Sequence, residues 1–174
     1  GVEFEDAWLD RFTSQNPKLK IVNISHGVQK LEIREHHHAK GEHEHGRLDP
    51  HTWTSPANVK IMALHIYKTL IKLDSTNKAF YKTNLDAFLQ EIKDTDKEIR
   101  STLNEVQANS KFLVLHPSWG YFAKEYNLVQ VAVEVEGKSP KPKEMVKIID
   151  EAKEENVRVI FTQPEFSDKN AQTI

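Results

Sequence analysis

The sequence predicts a parallel α/β fold, and three observations carry that prediction. Beyond residue 110, short apolar runs alternate with helical stretches in the order strand, helix, strand, helix, strand. Ahead of them, one uninterrupted helical period covers nearly thirty positions. The chain has 174 residues, 38% hydrophobic and 29% charged, with Gly 6 and Pro 7, a globular composition long enough to bury a core.

The first element is a helix carrying Phe4, Trp8, Leu9 and Phe12 on one side, stopped by Asn16-Pro17. Lys20-Ile21-Val22-Asn23-Ile24 reads as a short strand. From about Glu32 to Gly46 the chain is almost wholly polar, with His and Glu interleaved around Gly41 and Gly46, and it reads as a mobile loop. Asp49-Pro50-His51-Thr52-Trp53 ends the loop. Ser55-Pro56 then supplies an N-cap and a first-turn proline for a helix over Pro56 to about Leu73, with Val59, Ile61, Met62, Leu64, Ile66, Leu70 and Ile71 as its apolar stripe.

After Asp74-Ser75-Thr76-Asn77, the positions Tyr81, Leu85, Phe88, Ile92, Thr95, Ile99, Leu103 and Val106 recur at steps of three and four. They predict one helix from Lys78 to Val106, roughly 40 to 45 Å long at about 1.5 Å per residue. An intramolecular core helix fits this spacing at least as well as a partner-binding coiled coil and is the favoured reading. Phe112-Leu113-Val114-Leu115 is a buried strand, Val129 to Val135 a strand with one polar face, and Arg158 to Thr162 a third strand. Pro140 and Pro142 open a helix over Glu144 to Glu155. Ligands of such sheets gather at the carboxyl ends of strands, which makes the residues just after Leu115 candidates for a site.

Composition excludes several functions. A net charge of -2 leaves no footprint for nucleic acid, and the absence of cysteine removes disulfides, thiolate metal sites and cysteine nucleophiles. No apolar run reaches the length of about 18 to 20 residues that spans a bilayer. No signal peptide is readable; the first residues resemble the middle of a helix and Asp168 to Ile174 the opening turns of another, so the chain reads as part of a longer protein.

The skewed count is histidine. Of nine, seven (His26, His36, His37, His38, His43, His45 and His51) fall between positions 26 and 51. The tract of His36, His37, His38, His43 and His45 suits capture or sensing of zinc, copper or nickel, with modest affinity because ordering a loop costs entropy. Two histidines sit in stiffer places. His51 follows Pro50, with Asp49 available to accept a proton from its ring; His116 follows a buried strand and precedes Pro117. Together they make zinc, or another borderline divalent metal, the leading ligand. His65, within the helix after Pro56, reads as a packing or surface residue.

Gly1-Val2-Glu3-Phe4-Glu5 with Trp8-Leu9, the His/Glu-rich loop, Asp49-Pro50-His51-Thr52-Trp53-Thr54-Ser55-Pro56, the unbroken helix carrying Asn84, and His116-Pro117-Ser118-Trp119-Gly120-Tyr121-Phe122 resemble the zinc-specific solute-binding proteins of bacterial ABC uptake transporters, the cluster A-I metal receptors. The resemblance covers essentially the whole chain. It implies two α/β lobes with parallel sheets, both incomplete here: residues 1–77 in the N-terminal lobe with the loop at 32–46, a rigid linker helix over 78–107, and 108–174 in the C-terminal lobe. It implies Zn2+ in the cleft, with His51 and His116 as ligands. Position 116 is commonly glutamate in manganese-type members, so histidine there favours zinc over Mn2+. A further histidine and an aspartate of the family's site match no position in this chain. Thr162-Gln163-Pro164-Glu165-Phe166 stands where members usually have Glu-Pro-Gln-Phe, so Glu165 receives no metal role.

The expected protein is therefore a monomeric periplasmic or extracellular receptor, not an enzyme, passing Zn2+ to a membrane ABC permease. Since imidazole must be neutral to ligate, such binding weakens below the usual histidine value of about 6.5. A metal-binding surface adhesin or a zinc buffer is the alternative. A zinc metallohydrolase is disfavoured because His43-Glu44-His45 lacks the His-Glu-x-x-His spacing.

Overall fold

Asn16 leaves helical geometry ahead of Pro17, as a residue before proline tends to, and its N–H donates to Phe12 O at 3.1 Å. That closes α1 (Asp6–Gln15), the first element of the computed structural model, which describes residues 5–33, 48–134, 140–155 and 157–162. The described residues form two compact units divided between Glu105 and Val106. The first comprises 5–31 and 48–105; the second comprises 32–33 and the described residues from Val106 onward.

In the first unit, α2 (Pro56–Leu73) begins as its sequence demands. Ser55 is extended, its Oγ accepts from Asn58 N–H at 3.2 Å, and Pro56 fills the first turn where no donor is required. Asp74 then organises the corner into α3 (Lys78–Thr102). Its Oδ2 accepts from Asn77 Nδ2 at 2.7 Å and from Tyr81 Oη at 2.9 Å. These bonds hold the Asp74 carboxyl below its ordinary value and push the Tyr81 phenol above its own. Leu103 N–H reaches back to Ile99 O, ending α3 four residues before Val106, which is half exposed. Ala63 and Leu85 are buried where α2 and α3 pack, beside an apolar groove of about 340 Å³.

The strand expected over Lys20 to Ile24 does not form. No described strand runs beside it, Ile21 and Val22 are exposed, and a turn begins at Ile24. Apolar alternation alone cannot make a strand, because the extended backbone is held by a neighbour's hydrogen bonds. Within that turn Val28 N–H donates to Ser25 O at 3.0 Å and Gly27 has φ +87°, the left-handed conformation that the third position of a type II turn requires.

The second unit contains the predicted parallel sheet. β1 (Lys111–Val114) is central, flanked by β2 (Val129–Ala132) and β3 (Ile160–Phe161), both parallel to it. Side chains alternate across β1. Leu113 and Leu115 join Val133, Met145, Ile148 and Ala152 on the face covered by α5 (Pro142–Glu154); Phe112 and Val114 join Ala123 and Trp119 on the face of α4 (Gly120–Glu125). A strand buried on both faces needs its continuous apolar run. α4 has too few residues to show a period in sequence. It ends on Asn127 at φ +54°, with Leu128 N–H returning to Ala123 O, so asparagine takes the place that glycine usually fills at a helix end.

Candidate metal centre

His51 is positioned by its own neighbours. Asp49 is only 2% exposed, and its Oδ1 accepts both the His51 backbone N–H at 2.8 Å and the ring Nδ1 at 2.7 Å. The His51 carbonyl accepts from Thr54 Oγ1 at 2.9 Å, fixing the turn Thr52–Thr54 ahead of α2. Trp53, 54% exposed, meets the imidazole edge-to-face with ring centres 5.5 Å apart. One backbone bond, Asp49 N–H to Leu31 O at 2.7 Å, joins the residues flanking the histidine-rich tract. His36, His37, His38, His43 and His45 lie outside the described residues.

His116 stands just past the carboxyl end of β1. The strand ladder continues beyond the sheet proper, with Val133 N–H donating to Val114 O at 2.8 Å and Glu134 N–H to Leu115 O at 3.0 Å. Since Val114 pairs with Ala132, two residues further on each strand bring His116 and Glu134 abreast. Their side chains meet, Nδ1 to Oε2, at 2.8 Å. Ser118 N–H donates to the His116 carbonyl at 2.8 Å, and Trp119 N–H to Gln130 Oε1 at 2.6 Å, holding the next turn.

Both histidines thus present the same chemistry. A carboxylate only accepts, so the proton of the neutral ring sits on Nδ1 and the lone pair on Nε2, the arrangement found in metal-ligating imidazoles. Glu134 is not singled out by the sequence. Its signal is the polar face of the Val129 to Val135 alternation, which becomes meaningful only once the register with β1 is known. Among the described residues, no group of three or more His, Asp or Glu side chains converges on a common point. His65 lies beside His26, with ring centres 5.8 Å apart.

A family model described as ZnuA, zinc-uptake complex component A, periplasmic, matches residues 1–174. The chain belongs to the ZnuA family. Among its ZnuA relatives, the high-affinity zinc uptake system protein of Bacillus subtilis is 34% identical over 160 residues, 88% of this chain and 50% of that protein. The iron-binding protein YfeA of Yersinia pestis is 27% identical, covering 97% of this chain and 53% of its own length. A manganese ABC transporter substrate-binding lipoprotein, PsaA of Streptococcus anginosus, is 26% identical over all of this chain and 57% of its own. A crystal structure of ZnuA superposes with a TM-score of 0.87 at 39% identity, over 99% of this chain and 65% of that one. The chain therefore spans about half the length of the curated relatives it matches, and it has their mixed α/β fold with a parallel sheet. The ZnuA family serves ABC metal uptake outside the cytoplasm, and its relatives take zinc, manganese or iron. No described helix is long and apolar enough to cross a membrane.

Proposed function

We propose that this chain is part of an extracytoplasmic receptor that captures Zn2+ and delivers it to an ABC permease. The observation that carries the reading is the pair of carboxylate-oriented imidazoles, His51 with Asp49 and His116 with Glu134. Two neutral nitrogen donors suit zinc, whereas manganese prefers an oxygen-rich set. The histidine at 116 supports the same choice, and so does the zinc-uptake relative from Bacillus subtilis.

The receptor works by binding without chemistry. Asp49 and Glu134 hold the Nδ1 protons and aim the two Nε2 lone pairs; the cation exchanges water for imidazole and is released unchanged. Residues 1–77 form part of one lobe, 78–107 the linker, helical over Lys78–Thr102, and 108–174 part of the other lobe. A helix without Gly or Pro from Lys78 to Thr102 suits a stiff connection. The histidine-rich tract gathers zinc or reports its abundance. The receptor acts as a monomer.

Calorimetric zinc titration tests this in the present chain and in a protein of the relatives' full length, each beside His51→Ala and His116→Ala. Either substitution should weaken binding by the longer protein at least tenfold, and this chain alone should bind weakly at these two residues. Equal affinity of the longer protein after both changes would sink the proposal. Loss of all binding on deleting the tract alone would move the site to the tract.

A further inference from the structure

The Ser25–Val28 turn carries a second histidine pair that the receptor reading does not use. His26 occupies the second position of this turn, and its ring centre lies 5.8 Å from that of His65 on α2, with the planes tilted by 52°. Both supports are stiff. Asn23 Oδ1 accepts from Ser25 N–H at 3.0 Å and from Ser25 Oγ at 2.9 Å, while Lys30 Nζ donates to Ser25 Oγ at 2.7 Å. On the helix, Ile61 precedes His65 by one turn on the same face, and a Cβ placed on Gly27 would lie 3.9 Å from Ile61 Cγ2. The turn therefore rests against the stretch of α2 that presents His65.

The geometry points to a second divalent-cation site in which His26 and His65 ligate one Zn2+, separate from His51 and His116. Zinc binds imidazole nitrogen at about 2.0 to 2.1 Å, so two imidazoles on one ion have ring centres roughly 5 to 6 Å apart. The observed spacing falls in that range before any rotamer changes. His26 is exposed and His65 half-buried, so an ion reaches the pair from solvent and keeps water in its remaining positions. Two ligands on preformed supports bind more tightly than either alone, because the first contact raises the effective concentration of the second. Such a site is weaker than a four-ligand one, as suits a surface loading point. Lys30 is the nearby positive charge that opposes it, and its ammonium is engaged by Ser25.

The test removes the seven other histidines. A variant carrying His36→Ala, His37→Ala, His38→Ala, His43→Ala, His45→Ala, His51→Ala and His116→Ala keeps only His26 and His65. Calorimetry with zinc chloride should show one ion per chain, and adding either His26→Gln or His65→Gln should weaken binding at least tenfold. Absence of binding by this variant while its circular dichroism stays native overturns the site. Should the variant unfold, the unaltered chain decides the matter by ring-nitrogen NMR. The His26 and His65 signals should then move with a single midpoint during zinc addition, and in His65→Gln the His26 signals should no longer move at that concentration. Rings that stay unmoved up to millimolar zinc, or that respond with separate midpoints, mean that the two imidazoles merely pack together.

Discussion

The indole of Trp53 lies edge-on to His51, so an ion arriving at that imidazole changes the field at a solvent-exposed fluorophore. In a Trp8→Phe, Trp119→Phe background, zinc should alter Trp53 emission, and His51→Ala should abolish the response; an unchanged response in His51→Ala would detach Trp53 from the metal. The carboxylates behind the histidines make a second prediction. In a protein of the relatives' length, Asp49→Asn or Glu134→Gln should weaken zinc binding by about tenfold, toward the low end of the effect of losing a ligand's hydrogen-bond partner. Calorimetry measures this, with circular dichroism confirming that the fold persists. These partners differ in how far the sequence reveals them. Asp49 is two residues from His51, so local geometry alone could bring them together. Glu134 reaches His116 through strand register, and His26 reaches His65 through packing of a turn on a helix, neither of which a linear pattern encodes.

At the scale of elements, the helices read most clearly because their signals are local. Ser55-Pro56 and the apolar stripe place α2 at its observed bounds, and Ser55→Ala should cost about 1 kcal/mol by leaving the Asn58 N–H without its cap, as measured by urea denaturation. The corner between α2 and α3 gives a pH signature. The folded Asp74 carboxyl titrates below the ordinary aspartate value of 3.8, so its contribution is fully present above that value and is lost as pH falls through the lower folded value. Asp74→Asn should therefore flatten the fall in stability below about pH 4, seen in thermal melts across that range. Strands are harder to read. β1 and β3 announce themselves by unbroken apolar runs, yet Lys20 to Ile24 has a similar texture and pairs with no strand among the described residues, because a strand is a property of two segments. The helix expected between the first two strands is α4, but its bounds are not legible, because six residues are too few to show a helical period.

At the scale of the whole molecule, the deepest burial among the described residues lies around the sheet of the second unit: Val133 is 1% and Val114 2% exposed, and Leu113 packs with Val133 against α5. Leu113→Ala should cost about 2 to 5 kcal/mol, with hydrogen exchange accelerating in β1, β2 and α5. In the first unit Ile21, Val22, Phe80 and Phe88 remain exposed. Amides of residues 21–24 should exchange rapidly in this chain and become protected in a protein of the relatives' full length; fast exchange in both would show that this stretch never pairs. The parallel class is legible because strand and helix alternate in sequence, while the pairing of His116 with Glu134 emerges only in three dimensions. The bond from Asp49 N–H to Leu31 O has a consequence for variation. It joins the two flanks of the histidine-rich tract, so the tract enters and leaves at one anchored point. Closing a loop of doubled length costs only about 0.6 kcal/mol more. Related chains are thus free to lengthen or shorten the segment between Leu31 and Asp49 at little cost, while the Asp49 contacts to His51 stay as they are.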